Sequence, residues 1–309
     1  MIKMPGDSFK GILPPLNSQE IKLAERLKMH IEKLAAEIGE RNMFKYAALI
    51  AAGEYIKNTW ESFGLNVIKQ CYQCKKREAC NYIVEFSGNS KPQDIVVIGA
   101  HYDSVYGSPG ANDNGSGVAA ILELAHLIDH AKCEKTLRFV AFANEEPPYF
   151  NSQAMGSYHY AQQAKLNNEN IIAMLSIETI GYYSDEPFSQ KYPFPYMFFY
   201  PEIGNFIGFV SNLTNKKLLH QCIASFRQHC QFPSEGAAAP SFLPGVSWSD
   251  QWSFWRFGYP AIMITDTALF RYPYYHNVED TPDKIHYEKM ARVVYALNFI
   301  IENLVNSKT

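Results

Sequence analysis

Residues 94–100 read DIVVIGA, apolar at successive positions, and the chain then breaks into HYDSVYGSPGANDNGSG before an amphipathic run begins at Val118. A strand that is apolar on both faces has to be covered on both faces, because either face left in water forfeits its burial free energy. This segment therefore excludes a sheet with one solvated face and requires helices above and below it. The rest of the chain supplies them. Residues 20–38 place Ile21, Ala24, Leu27, Ile31, Leu34 and Ile38 three or four apart behind a capping pair, Asn17 and Glu20, so an amphipathic helix is predicted there. A second helix is predicted over 44–63, closed by Gly64. Strands are predicted at 67–72 and 81–86. After DIVVIGA come a helix at 118–128, a strand at 136–143 (TLRFVAFA), a helix at 156–164, a strand at 171–177, a helix at 215–229, a strand at 261–265 and a closing helix at 287–304. Strand alternating with helix predicts an α/β fold: one domain over 1–309 with a mixed, mostly parallel central sheet and helices on both faces. Residues 182–206 and 231–252, rich in Pro, Gly and aromatics without a period, read as long surface loops of the kind that shape a pocket.

Composition narrows the partners. With 47% hydrophobic residues, 19% charged residues and a net charge of −3, the chain can fill a large core and offers no basic surface to nucleic acid or an anionic membrane. A small or peptidic partner is the expectation; nothing in the residues sets an oligomeric state. No run approaches the roughly 18 apolar residues of a membrane span, and the N-terminal stretch MIKMPGDSFKGILPPLNS lacks a signal-peptide core, so a cytoplasmic location is expected. Cys71, Cys74 and Cys80 lie together with CxxC spacing but without a histidine at zinc-finger spacing, which favours a local disulfide or free thiols over a metal. Cys133, Cys222 and Cys230 read as free thiols in or beside helices.

The polar residues fall where the strands end. His101 follows the 94–100 strand, and Asp113 lies in the glycine-rich turn before the next helix. Glu145 and Glu146 end TLRFVAFAN, Glu178 ends MLSI, and His276 follows the 261–265 strand through a loop. Each has an ordinary structural explanation: His101 with Asp103 as a hydrogen-bonded loop pair, Asp113 as a helix cap, adjacent glutamates as solvated surface. Together those explanations weaken. A carboxylate at the end of a fully apolar strand is costly unless it is paired, solvated or metal-bound, and a shared metal site is the simplest common cause of the repetition. Two histidines with carboxylates suit zinc. Two Zn2+ bridged by Asp113 would be largely neutralised by Asp113, Glu146 and Glu178, which leaves Glu145 over as a general base for water. Asp103 would orient the His101 imidazole as an outer acceptor. His126 and His130 sit i, i+4 on a helix without the HExxH pattern and read as solvent-facing. GVSWS at 245–249 ends in serine and is no nucleophile elbow, and neither GxGxxG nor a P-loop occurs.

The pieces GAHYDS (99–104), GANDNGSGVAAILELA (110–125), FANEEPP (142–148), GS at 156 and 157, SIETIGY (176–182), SDQWSFWRFGYPAIMITDTALFRYPYYH (249–276) and DTPDK (280–284) occur in this order. With them the chain resembles the co-catalytic zinc exopeptidases, a family that includes bacterial leucyl aminopeptidases, glutamate carboxypeptidases and, more distantly, glutaminyl cyclases. The resemblance implies that His101 and Glu178 bind one zinc, that Glu146 and His276 bind the other, that Asp113 bridges them and that Glu145 is the general acid/base. It also implies a mixed sheet of about eight strands and a cis peptide bond between Asp113 and Asn114. It gives Tyr275 a role in steadying the tetrahedral intermediate, alongside a plain aromatic packing role. Two positions depart from the family pattern. Glu178 stands where many members carry aspartate, which leaves one zinc open as well as two, and Gln251 stands where relatives often have histidine.

The expected activity is that of a zinc-dependent exopeptidase acting on peptides, in the first instance an aminopeptidase. A single-zinc glutaminyl-peptide cyclotransferase and a non-catalytic relative are the alternatives on the same scaffold. Members of such a family are often exported, against the cytoplasmic expectation from the N-terminal residues.

Overall fold

The computed structural model describes residues 3–307, so the outermost two residues at each end of the expected 1–309 unit lie outside it. The chain begins its regular structure with α1 (Ser18–Ile31), whose N-terminus is closed by the expected capping box: Asn17 Oδ1 accepts the N–H groups of Gln19 and Glu20, and the Glu20 carboxylate accepts Asn17 N–H. The helix predicted to Ile38 is α-helical only to Ile31, and Glu32–Ile38 continues as a wider π-helix. The Leu34 carbonyl there accepts from Gly39 N–H five residues on, the π pattern, and from the Arg41 guanidinium.

The remaining elements are α2 (Tyr46–Ser62), β1 (Val67–Cys74), β2 (Arg77–Phe86), β3 (Lys91–His101), α3 (Gly117–Leu127), β4 (Lys135–Phe142), α4 (Gly156–Leu166), β5 (Asn170–Glu178), β6 (Ile207–Ser211), α5 (Lys216–His229), β7 (Ser234–Ala238), α6 (Gln251–Arg256), β8 (Ala261–Thr265), α7 (Ala268–Arg271) and α8 (Tyr287–Asn306). The strands form one eight-stranded sheet in the order β1-β2-β4-β3-β5-β8-β6-β7. Pairing is parallel along β4-β3-β5-β8 and between β6 and β7, and antiparallel elsewhere. The expected α/β class, with a mixed and mostly parallel sheet, is what the structure shows.

The continuous apolar runs divide their side chains between two cores. In β3, Val96, Ile98 and Ala100 face the larger core with α1, α3 and α8, while Ile95 and Val97 face a smaller one with α4 and α6. β4 does the same, with Leu137, Phe139 and Ala141 on one side and Val140 and Phe142 on the other. β7 lies inside the 231–252 stretch whose composition predicts a loop, and β6 follows the other such stretch with no sequence signal of its own. β7 is SEGAA, a sequence with no β-branched or aromatic residue, and it is a strand because it pairs in parallel with β6. Cys71 and Cys80 lie directly opposite in the β1–β2 register and form a disulfide, while Cys74, Cys133 and Cys222 are buried free thiols. His126 and His130 stack on Phe63 and Phe86 and take no part in a polar cluster. No helix among the described residues is long and apolar enough to cross a membrane. The four parallel strands β4, β3, β5 and β8 all end at one edge of the sheet, where loops can converge without burying unpaired backbone.

Candidate metal centre

Each of the polar residues singled out above sits at that edge. His101 is the last residue of β3 and Glu178 the last of β5; Glu145 and Glu146 follow β4, and His276 follows β8 and α7. Asp113 stands in the turn 110–116, which opens α3. That turn starts at Gly110 with φ +66°, and a Cβ there would lie 2.6 Å from the Asp113 carbonyl oxygen and 2.7 Å from Ser104 Cβ, so only glycine fits. The peptide bond between Asp113 and Asn114 is cis.

The side chains gather into two groups that share one residue. His101 Nε2 is 3.3 Å from Asp113 Oδ1 and 3.2 Å from Glu178 Oε2. His276 Nε2 is 3.1 Å from Asp113 Oδ2 and 3.3 Å from Glu146 Oε2. Asp113 thus turns one oxygen to each group. Glu145 Oε2 stands further off, 3.9 Å from His101 Nε2. All but His276 are buried, so four carboxylates share a buried volume with the His101 imidazole, and His276 meets them from the exposed side.

The electrostatics record the crowding. Burial, then the neighbouring Glu146 and Glu178, drives the Glu145 carboxyl well above its ordinary range against the pull of His101. Burial with Asp113 beside it pushes Glu146 up to about 7. Although burial works against a charged imidazole, hydrogen bonds to Asp113 and Glu146 lift His276 to about 11. Glu146 Oε1 is buried with no hydrogen-bond partner among the described residues. A compact set of imidazole and carboxylate donors with a spare buried oxygen and a shared aspartate fits a pair of N/O-ligated divalent ions such as zinc.

A second set of residues holds these ligands in place. The Asp103 carboxylate accepts the backbone N–H groups of Glu145 and Glu146 at 3.0 and 3.1 Å. Its backbone carbonyl is 3.2 Å from His101 Nδ1 and its carboxylate 3.5 Å, so the structure places Asp103 beneath the paired glutamates as much as behind the histidine. Asn114 ties the Asp113 turn to β5: its Nδ2 donates to the Ile177 carbonyl and its Oδ1 accepts Gly117 and Thr179 N–H. Ser249 donates to Glu178 Oε2 at 2.6 Å. Gln251 is buried away from the ligands, donating to the Val246 carbonyl. The Tyr275 ring stacks on His276 with centroids 3.9 Å apart.

Several supports were not read from the sequence. Asp280, within DTPDK, accepts the Asn112 and Asp113 N–H groups; Asp266, within ITDT, accepts Asn112 Nδ2 and Tyr182 N–H. Their strand-end and loop positions were the available signal. Arg41 had none, as a lone arginine in a region without motifs. It is fully buried and donates to the carbonyls of Tyr102, Pro109 and Gly110, bracing the segment between His101 and Asp113.

Beside Glu178 and Tyr275 the sheet opens into a cavity of ≈ 130 Å³ whose walls come from the aromatic stretch around Tyr192–Tyr200 and from residues 243–248 and 267–270.

A mixed sheet covered by helices on both faces, with a cluster of imidazole and carboxylate groups sharing Asp113 at the ends of its parallel strands, defines an α/β protein with a candidate metal centre. The chain belongs to peptidase family M28, whose family model matches residues 81–300. It is similar to the uncharacterized protein YfbL of Escherichia coli K12, 36% identical over 294 residues that cover 92% of this chain and 88% of that one. The aminopeptidase YwaD of Bacillus subtilis is 49% identical over 72 residues, which cover 23% of this chain and 15% of YwaD. Among solved structures, the zinc aminopeptidase BSAP of Bacillus subtilis matches with a TM-score of 0.74 at 15% identity, covering 92% of this chain and 95% of that one. The glutaminyl cyclase of Fimbriiglobus ruber matches with a TM-score of 0.66 at 19% identity, covering 95% and 97%. At those identities the likeness is one of fold.

Proposed function

We propose that this chain is a zinc-dependent exopeptidase, an aminopeptidase that releases N-terminal residues from peptides. The observation that carries the proposal is Asp113 turning one carboxylate oxygen to each of two ligand groups while Glu145 stands beside both. Membership of a peptidase family and the zinc aminopeptidase title of a neighbour with the same fold support it. His101, Asp113 and Glu178 would hold one ion, and Asp113, Glu146 and His276 the second. Zinc bound there supplies Lewis-acid polarisation of the scissile carbonyl and lowers the pKa of water toward about 7.

The chain's own groups do the rest. Glu145, buried and held well above the usual carboxyl range by desolvation, is suited to take a proton from the attacking water and return it to the leaving amine. Asp103 keeps Glu145 and Glu146 in register through their backbone N–H groups. The Tyr275 hydroxyl, pushed well above 10 by burial and by the carboxylates around it, keeps its proton and can donate to a developing oxyanion. Residues 1–309 are read as one peptidase unit, because α1 and α2 pack into the same core as the sheet.

The test is hydrolysis of aminoacyl reporters by zinc-loaded and chelator-treated protein, with metal content measured. Two zinc ions per chain and turnover that disappears with the metal are expected. Turnover indifferent to metal removal, or cleavage confined to peptides with blocked N-termini, would overturn the assignment.

A further inference from the structure

Strand register lays a row of side chains across the sheet, starting at the metal centre. Glu178 is opposite Thr265, Thr265 is opposite Gly208, and Gly208 is opposite Glu235. Opposed residues share a face, so the row crosses β5, β8, β6 and β7 on one side. Three strand spacings of about 4.8 Å put Glu235 roughly 14 Å from Glu178, backbone to backbone. Met263, Val210 and Ala237 form a second row on the same side. Gly208 adds no side chain to the middle of the first row, where Thr267 Cγ2 would stand 3.2 Å and Thr265 Cγ2 3.8 Å from a Cβ built there, so the floor is a trough lined in part by threonine. Tyr192, Tyr196, Tyr200, Leu243, Trp248 and Phe270 wall it.

The trough is walled mainly by aromatic and aliphatic side chains, with the neutral polar groups of Gln190, Thr265 and Thr267 along it. Its lining residues include only two charged ones, Glu178 at the metal centre and Glu235 at the far end. Glu235 is half-buried, and desolvation raises its carboxyl above the ordinary range although Arg227 and Lys10 oppose the shift. The Arg227 guanidinium is committed elsewhere, to the carbonyls of Pro5, Gly6 and Ser234 and the Ser234 hydroxyl. Among the described residues Glu235 has no ion pair, and Ser8 is its hydrogen-bond partner. Glu235 also lines a small surface pocket with Ser8, Lys10 and Arg227, whose charges act on it without closing an ion pair, and a carboxylate so placed at the end of the trough is a group that a directly bound cation stabilises further.

We propose that Glu235 is a specificity-determining residue and that the trough takes an N-terminal lysine or arginine, the methylene stem lying between the apolar walls and the cationic head meeting the Glu235 carboxylate. A lysine stem of about five bonds of 1.5 Å each reaches roughly 6 Å from its Cα, which suits a row with the reacting carbonyl at one end and Glu235 lining the other. An uncharged chain of equal length fills the walls but gives the Glu235 carboxylate no ion pair, so discrimination falls on the charge. The inference rests on the aminopeptidase reading above.

The experiment compares lysyl, arginyl, norleucyl and leucyl reporters on the zinc-loaded full chain, and separately titrates L-lysinamide and L-norleucinamide by calorimetry. The lysyl reporter is expected to exceed the norleucyl one in kcat/KM by on the order of tenfold or more, and lysinamide to bind more tightly than norleucinamide. Glu235→Gln should lower the lysyl-to-norleucyl ratio by about 10- to 100-fold and level the two amides, whereas Glu235→Asp should keep part of the preference. Norleucyl or leucyl reporters turned over as fast as lysyl, or a Glu235→Gln ratio equal to the parent's, would overturn the inference and leave Glu235 as a partner of Ser8. If no reporter is cleaved, the aminopeptidase reading falls, and equal binding of the two amides then overturns the role of Glu235 on its own account.

Discussion

The Asp280 carboxylate accepts the backbone N–H of Asp113 at 3.1 Å, so the residue offered to both ligand groups is itself fixed by a carboxylate 167 positions away. The same carboxylate accepts Asn112 N–H at 2.8 Å and the Tyr272 hydroxyl at 2.7 Å. Two of these three hydrogen bonds hold the turn, and the third ties it to Tyr272. Asp280→Asn keeps the shape but aims an amide donor at one of those N–H groups. Zinc affinity is expected to fall by about 10- to 100-fold, read by competition against a calibrated chelator, and unchanged affinity would show that the turn holds Asp113 without it.

Glu145 lies near His101 and Glu146 but takes no part in the two groups that share Asp113, so its substitution tests whether its role is chemistry or metal binding. Glu145→Gln removes the proton acceptor and preserves the volume. Turnover should drop by about 10²- to 10⁴-fold while metal content by atomic absorption stays at the parent level. Activity within a few-fold of the parent would show that another group moves the proton.

Four carboxylates in one buried volume repel each other, so divalent ions should stabilise the folded chain as well as serve catalysis. With free zinc at about 100 times its dissociation constant, the gain is about 2.7 kcal/mol, a rise of several degrees in the thermal midpoint. His276→Ala should lower zinc stoichiometry and shrink that rise. A midpoint insensitive to zinc in the parent chain would contradict the ligand assignment.

Away from the site, Glu123 on α3 accepts Arg26 Nε at 2.5 Å and meets His30 Nε2 at 3.0 Å. Burial alone would raise its pKa, but the hydrogen bonds of His30 and Arg26 outweigh burial and hold the carboxyl below the usual range. A depressed folded-state pKa gives stability that is present above the unfolded value of about 4.3 and is lost as the pH falls through the folded value. Glu123→Gln should therefore cost about 2 kcal/mol near neutral pH and flatten the loss of stability below pH 5, measured by urea unfolding across pH. Parallel pH profiles for parent and variant would show that Glu123 is not the group responsible.

DIVVIGA and TLRFVAFA announced a sheet covered on both faces, and the polar residues at their ends announced where chemistry would lie, because period and strand-end placement are local properties of the chain. The candidate ligands were legible for the same reason, since His101, Glu145, Glu146 and Glu178 directly follow or end apolar strands. SEGAA became a strand and Arg41 became a buried brace through partners far away in the chain. No local pattern carries such information. The row from Glu178 to Glu235 is of the same kind, a product of register across four strands. By itself the sequence determined which segments must be buried and which residue types stand at their ends, because hydrophobic period acts over a few residues. Tertiary structure alone decided that Asp113 would divide its two oxygens between His101 and His276, because those distances depend on how separate strands and loops pack together.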